Sequence, residues 1–365
     1  VNCSRPARRG EGTPCGAMLC AQPVAMETVN VLSVMLIDRC NRACPFCFAK
    51  ERFSGPGAEI SLDDLDVLIR IHQEWGLPRM ALVGGEPTMH SKLEMVVERI
   101  LAAGCPYIHL FTNGDMPQSR ADFLAGVPNM TYLVNYPLPG VVDDVQRARV
   151  DYFVERCAPT AVSMSLGSTI YDREPDLDFL LSRALSAGVP LVRVGLSHPI
   201  YYPGGAEVNR YLTREDCVAV GETATAFVER CAAAGVGVLF DCHFPLCMFG
   251  PEQLQRLRIA QPKAPPPFFT ECRHATIRPD LTVFNCFATG AVFNTRRITD
   301  FSGPEDLSAY LDDCLGEFED TPGYAGCDEC PFFMAECSGG CFGRKFLAHP
   351  IPPEVVEMQL TAGEG

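Results

Sequence analysis

Three cysteines, Cys40, Cys44 and Cys47, follow one another with the spacing C-x3-C-x2-C. Thiolates this close together can bind three irons of a [4Fe–4S] cluster and leave the fourth iron without a protein ligand. A cluster that only transfers electrons usually has four cysteine ligands, whereas an open coordination position is typical of a reactive metal site. The spacing therefore predicts a reactive iron–sulfur site. The alternatives are a zinc site or a chance grouping among the 19 cysteines of the chain.

The elements around these cysteines are those of a parallel α/β protein. The apolar run 29–37 predicts a buried strand, and the cysteines follow its C-terminal end, where the sites of parallel barrels lie. A second short strand, 80–83, is followed by Gly84, Gly85, Glu86 and a proline. Glycines let the backbone approach a ligand closely, and a carboxylate can accept hydrogen bonds from an ammonium group. Taken alone, this turn could equally be an ordinary surface turn.

Together, the C-x3-C-x2-C spacing and the Gly-Gly-Glu-Pro turn resemble the radical SAM superfamily. The resemblance implies that the open iron binds S-adenosylmethionine and that an electron from the cluster cleaves its sulfonium to a 5′-deoxyadenosyl radical, which abstracts hydrogen from a substrate. It implies a reducing electron donor such as flavodoxin or ferredoxin. It also implies that Glu86 contacts the amino group of the cofactor and that Phe46 lies near the adenine. The other cofactor-binding residues implied in this way are Gly84, Gly85, Asn113, Ser165 and Arg193.

Alternating strand and helix patterns from 29 to about 235 predict a parallel sheet with right-handed crossovers. The predicted strands are 29–37, 80–83, 107–112, 130–135, 161–166, 191–197 and 236–240, and the predicted helices are 61–75, 91–103, 141–157, 176–187 and 213–234. The resemblance implies a partial (β/α)6 TIM-like barrel. The predicted divisions are a disordered tail over 1–25, the barrel over 26–235, a small cysteine-rich domain over 236–350 and a C-terminal tail over 351–365.

The cysteine-rich segment has its own ligand-like spacings. Cysteines at 272 and 286 are followed by a C-x2-C-x6-C-x3-C run. Such pairs of thiolates bind soft metals, zinc included. The arrangement resembles a SPASM or twitch domain, which implies one or two auxiliary [4Fe–4S] clusters. One would be held by Cys272, Cys286 and Cys341, and the other by Cys327, Cys330 and Cys337 with an open site or a non-cysteine ligand. The segment departs from that family at Leu281, where a glycine is usual, in its six-residue spacing, and in having no cysteine after Cys341.

Two further cysteines, Cys242 and Cys247, follow the last predicted strand of the barrel. Either could supply a missing cluster ligand, and either could simply belong to a structural turn. Alternatively, Cys242 could donate a hydrogen atom to a substrate radical, with Asp241 and His243 as proton acceptors. The sequence leaves these three interpretations open.

The composition excludes several classes of protein. The formal net charge is −15, from 30 basic and 45 acidic residues, which argues against binding to a nucleic-acid backbone. No apolar run approaches the roughly 18 residues of a membrane span. The grouped cysteines favour metal sites in a reducing cytoplasm over disulfides. The isolated cysteines are expected to be small core residues; they are Cys105, Cys157, Cys217, Cys231 and Cys314.

The leading functional hypothesis is radical chemistry on a specialised metabolite. An auxiliary cluster that accepts an electron favours an oxidative outcome, such as a crosslink, a thioether or a dehydrogenation. Ribosomally made peptides are the expected substrates, with a separate leader-peptide-binding protein as a partner. A small molecule such as an aminocyclitol or sugar is the alternative, which is favoured by the lack of room for a leader-peptide-binding domain before Cys40 and of an Asp-Gly step after Ser165. The rival from another class is a non-catalytic iron–sulfur or zinc protein. We see no motif for methyl transfer.

Overall fold

The computed structural model describes residues 29–47, 57–201, 209–262, 268, 272, 274–293 and 295–351. The predicted N-terminal tail, 1–25, lies outside the described residues, and so does the predicted C-terminal tail except for Ile351.

A parallel sheet is the central element of the fold. Its first seven strands lie side by side in the order of the sequence, and each pairs in parallel with the next. They are β1 (Leu32–Met35), β2 (Met80–Val83), β3 (Ile108–Thr112), β4 (Met130–Asn135), β5 (Ser163–Ile170), β6 (Leu191–Leu196) and β7 (Gly237–Asp241). Among the strands described, β7 and β1 do not pair, so the sheet is an open, partial barrel. The predicted α/β class is confirmed.

Helices connect the strands up to β8 and cover one face of the sheet, and two further helices follow the last strand. They are α1 (Leu62–Glu74), α2 (Leu93–Ala102), α3 (Gln118–Ala125), α4 (Asp144–Cys157), α5 (Leu177–Ser186), α6 (Arg214–Ala233), α7 (Pro251–Ala260), α8 (Pro304–Leu315) and α9 (Phe342–Ala348). Side-chain caps fix several N-termini: Ser61 accepts from the Asp64 amide, and Thr213 from the Asp216 amide. Four helices were not predicted from the sequence: α3, α7, α8 and α9. Helix α3 begins after Pro117 without a side-chain cap. No helix in the described part of the chain has the length and apolarity to cross a membrane.

The core between helices and sheet contains most of the isolated cysteines. Four of them are buried, as predicted: Cys105, Cys157, Cys217 and Cys231. Cys314 is half-buried and packs against a small apolar cluster around Phe346.

The C-terminal part of the chain joins the same sheet. The short strand β8 (Thr276–Ile277) pairs in parallel with β1, and β9 (Val283–Phe284) pairs antiparallel with β8. The strand β7 also belongs to this sheet, although it lies beyond the predicted boundary at 235. The division into domains stays a prediction, but the sheet itself runs across it.

The turn between β8 and β9 contains Leu281, at the position where a glycine was expected from the family resemblance. Leu281 donates its amide hydrogen to the Arg278 carbonyl and has a positive φ of 69°. A three-residue hairpin loop of this kind ends with a residue in the left-handed region, and glycine is favoured there. Leu281 adopts this conformation while its side chain is 2% exposed, so its burial offsets the backbone strain.

A pair of substitutions at this position separates the two effects. Both Leu281→Ala and Leu281→Gly should lower stability, because each removes a buried leucine side chain, a loss of about 2–5 kcal/mol. We expect the glycine variant to be the more stable of the two by about 1 kcal/mol, since only alanine keeps the strained left-handed backbone. Thermal melting of the two variants measures the order. An alanine variant that melts higher than the glycine variant would contradict the interpretation that the left-handed backbone at this position is strained.

Candidate active site and metal centres

The turn after β2 lies directly against the backbone that leads to the cysteine loop. The amide hydrogens of Gly85 and Glu86 donate to the carbonyls of Ile37 and Arg39, both at 2.9 Å. A Cβ on Gly85 would lie 2.1 Å from the Arg39 oxygen and 2.9 Å from the Cys40 nitrogen. A Cβ on Gly84 would likewise lie 2.6 Å from the Ile37 oxygen. The two glycines therefore permit contact between two backbone segments.

Hydrogen bonds to the buried side chain of Glu86 hold this turn in place. Its side chain is buried, with 1% exposed. Its Oε1 accepts hydrogen bonds from the amide and hydroxyl of Thr88 and from the hydroxyl of Thr112, and its Oε2 accepts one from the Asn113 amide. Burial raises the pKa of this carboxyl, and the hydrogen bonds oppose that shift. These contacts give Glu86 a structural role. Its contact with the amino group of S-adenosylmethionine stays a prediction.

Asn113 links the end of β3 to the first cysteine. Its side-chain amide donates to the side-chain oxygen Oδ1 of Asn41 at 2.8 Å and lies 3.8 Å from the Cys40 sulfur. The Arg42 amide also donates to that sulfur, at 3.4 Å. Burial raises the pKa of the Cys40 thiol to about 12, and Glu86 adds to the shift. N–H donors to sulfur are common around the thiolate ligands of iron–sulfur clusters, where they tune the reduction potential, and metal binding would displace the proton. The residues present therefore fit an iron–sulfur cluster.

Phe46 lies in an aromatic wall, of which only Phe46 itself was predicted from the sequence. Its ring stacks on Tyr171, with the centroids 5.1 Å apart. The guanidinium of Arg210 lies over the Tyr171 ring, 5.7 Å from its centroid. Tyr171 follows β5 directly, and only its place at a strand end could have signalled it. The adenine contact of Phe46 stays a prediction.

The face of the sheet opposite the helices brings other candidate residues together. Strand register places Ser165 and Arg193 on this face, with His109 and Phe111 of β3. Arg193 forms an ion pair with Asp241 at 2.5 Å, so two residues that were assigned separately are partners. Burial lowers the pKa of His109 to about 4, and Arg193 contributes, which keeps the imidazole neutral. Ser165 lies within β5 and not at the C-terminal end of the strand. Its contact with the cofactor stays a prediction.

The cysteines of the C-terminal part form two groups, and a residue of the loop after β7 lies beside each. In the first group, Cys242 lies near Cys272, Cys286 and Cys341, whose thiols act electrostatically on it. Cys272 and Cys286 flank the β8–β9 hairpin, and the Asn285 amide ties its two ends together at the Cys272 and His274 carbonyls. The second group comprises Cys327, Cys330 and Cys337. His243 is fully buried against Cys337, 3.6 Å from its sulfur.

Two buried cations lie beside the first group. Arg344 and Lys345, at 5% and 3% exposed, follow Cys341 at the start of α9. The amides of Gly343 and Arg344 donate to the Cys341 thiol. Burial lowers the pKa of Lys345, and the thiols of Cys272 and Cys341 oppose the shift. Buried positive charge is costly without nearby negative charge, so this group fits an anionic metal site.

Among the residues that the structure describes, no three His, Cys, Asp or Glu side chains converge closely enough to hold a single metal ion. Each thiolate of an iron–sulfur cluster binds a different iron atom, so the ligands of a cluster need not meet at one point. The metal ligands named from the sequence stay predictions.

The backbone contact at Gly85 gives a direct test of this site. Gly85→Ala would push the turn away from Arg39 and Cys40, because the new Cβ has no room. We expect the variant to lose about 4 iron atoms per chain after anaerobic reconstitution. Gly316→Ala is the matched control, since nothing lies within 4 Å of a Cβ built there. Equal iron content in both variants would show that the contact does not position the cysteine loop.

The radical SAM superfamily model matches residues 34–156, which include the three cysteines, the turn after β2 and Asn113. The GTP 3′,8-cyclase of Pelotomaculum thermopropionicum is 33% identical over 111 residues, 29% of this chain and 34% of that protein. The chain thus spans about a third of the length of this curated relative.

Solved structures resemble the chain over a greater length. SuiB of Streptococcus suis, bound to S-adenosylmethionine, has a TM-score of 0.60 at 16% identity, covering 87% of this chain and 73% of SuiB. Another structure of SuiB holds the precursor peptide SuiA. The enzyme anSMEcpe, with bound AdoMet and the Kp18Cys peptide, has a TM-score of 0.59 at 16% identity, covering 91% and 99%. At these identities the likeness shows the fold. Residues 34–156 are therefore similar in sequence to the radical SAM superfamily, and the chain as a whole shares its fold with these two proteins.

Proposed function

We propose that the protein is a radical SAM enzyme whose first iron–sulfur cluster is held by Cys40, Cys44 and Cys47. The observation that carries this proposal is the backbone contact between the turn after β2 and the segment before Cys40, within the matched domain. When bound, the cluster and S-adenosylmethionine supply a radical that abstracts hydrogen. The chain's own residues position these groups: Gly85 lets the two loops approach each other, and Glu86 fixes the turn to the end of β3.

The open face of the sheet is the proposed substrate site. It carries the ion pair of Arg193 and Asp241 and the neutral ring of His109. The guanidinium can bind an anionic group of a substrate, and the Asp241 side chain lies directly beside it. Because Arg193 is engaged by Asp241, a direct contact of Arg193 with S-adenosylmethionine would require this pair to rearrange.

An auxiliary cluster on Cys272, Cys286 and Cys341 is part of the proposal, and Cys242 lies where it could be the fourth ligand. Its place next to the other three thiols favours a ligand over a hydrogen donor. A cluster at this site would accept an electron from a substrate radical, which favours an oxidative modification. The buried cations beside Cys341 support an anionic group here.

A peptide is the substrate that we propose first. SuiB and anSMEcpe, which share the fold, are both seen with bound peptides. A separate leader-peptide-binding protein and a flavodoxin or ferredoxin would then be partners. The alternative of a small molecule is supported by the similarity to GTP 3′,8-cyclase over 34–156. Co-purification with a precursor peptide, or saturation by one, distinguishes the two.

Cleavage of S-adenosylmethionine tests the proposed activity. The reconstituted, reduced protein should produce 5′-deoxyadenosine, and the triple variant Cys40→Ala, Cys44→Ala, Cys47→Ala should produce none. The variant should also contain about 4 fewer iron atoms per chain, one cluster fewer. If wild-type protein with a full iron content produces no 5′-deoxyadenosine, with or without candidate substrates, the proposed enzymatic activity is refuted.

Substitution of Cys242 separates its two proposed roles. If it is a ligand, Cys242→Ala should make iron release to a chelator at least ~10-fold faster, the scale of losses in perturbed metal sites. If it is a hydrogen donor, iron release should not change, and only turnover of the substrate should fall. Cys157→Ala is the control, because this buried cysteine lies on α4 in the main core and belongs to neither group.

A further inference from the structure

The second group of cysteines has three members close together in the chain and lacks an obvious fourth. Cys327 and Cys330 are joined by a turn, in which the Cys330 amide donates to the Cys327 carbonyl at 3.1 Å. Cys337 returns to them through Gly339, whose amide donates to the Cys337 sulfur at 3.5 Å and whose carbonyl lies 3.9 Å from the Cys327 sulfur. The turn and these two contacts therefore bring the three cysteines close to one another, with an N–H donor directed at the Cys337 sulfur.

The loop after β7 also reaches this group of cysteines. The Leu246 amide donates to the Cys337 thiol, and the buried ring of His243 contacts the same sulfur at 3.6 Å. Burial raises the pKa of Cys327 and of Cys337, and in both the thiol of Cys247 raises it further. Cys247 thus lies within electrostatic reach of two members of the group, although it is separated from them by a long stretch of sequence.

Two contacts hold Cys247 in this position. It lies in a short 3-10 helix, Leu246–Met248, which packs so tightly on α6 that a Cβ on Gly221 would lie 2.1 Å from the Met248 oxygen. Arg214, at the start of α6, hydrogen-bonds both the Cys247 thiol and the Ala325 carbonyl, the latter at 3.1 Å. The same side chain therefore connects Cys247 to the segment just before Cys327.

We propose that Cys247 supplies the fourth ligand of a [4Fe–4S] site whose other ligands are Cys327, Cys330 and Cys337. This assignment replaces the open position or non-cysteine ligand expected from the sequence. It does not need a cysteine after Cys341. A cluster with four thiolates has no iron left for a substrate, so the site would transfer electrons. The side chain of Cys247 is exposed, and those of Cys327 and Cys330 are partly exposed, which suits exchange with an external redox protein.

Alkylation of the cysteines tests this site directly. The experiment uses full-length protein with Cys40→Ala, Cys44→Ala and Cys47→Ala, reconstituted anaerobically with iron and sulfide, so that its result does not depend on cleavage of S-adenosylmethionine. Iodoacetamide is added before and after removal of iron by a chelator, and modified peptides are identified by mass spectrometry. Cys247, Cys327 and Cys330 are the informative residues, because Cys337 is buried in any case.

We expect all three to be protected in the iron-loaded protein and to become reactive together after chelation. Modification of Cys247 in the loaded protein, at the rate seen after chelation, would overturn the proposal even if the others stay protected. Zinc in place of iron and sulfide in the protected protein would overturn it too.

A substitution provides the second measurement. Cys247→Ala should make release of about 4 iron atoms at least ~10-fold faster than in the parent protein. Cys231→Ala is the matched control, because Cys231 is a buried cysteine on α6, the helix against which the 3-10 helix packs. This substitution should not change the rate of iron release. An unchanged release rate in Cys247→Ala would contradict the ligand role. If this variant fails to fold, the alkylation of the parent protein decides the question.

Discussion

The site depends on one contact between two pieces of backbone, in which the turn after β2 donates two amide hydrogens to the segment that leads to Cys40. The distance between them leaves no room for a Cβ at Gly85. Glu86 then ties this turn to Thr112 and Asn113. The C-terminal ends of the first three strands are thereby fixed to one another. The cysteine loop has its position because it follows directly from this arrangement.

The loop after β7 has a comparable role at the other end of the sheet. Asp241, the last residue of β7 before this loop, pairs with Arg193 on the open face. Within the next few residues, Cys242 approaches one group of thiols and Cys247 the other. A single short loop therefore connects the proposed substrate site with both proposed auxiliary sites. A shift of β7 would therefore move residues of all three sites.

Much of this architecture could be predicted from local sequence. Apolar runs predicted all seven parallel strands, and β2 and β4 agree with the predicted ranges to the residue. The helix α3 was missed because Pro117 replaces the usual polar cap. The family resemblance suggested a ligand contact for Glu86, whereas the structure shows four protein donors. The grouping of Cys242 and Cys247 with distant cysteines could not be predicted, because it depends on tertiary packing that no spacing encodes.

The buried cations after Cys341 have a consequence for the direction of electron flow. Reduction adds negative charge to a cluster, and nearby positive charge and amide donors stabilise the reduced form, which raises the reduction potential. Arg344 and Lys345 are both buried beside this group of thiols, while the neighbouring carboxylate of Asp241 is neutralised by Arg193. A cluster here would be tuned as an electron sink, so that electrons would move from the substrate towards the C-terminal part of the protein.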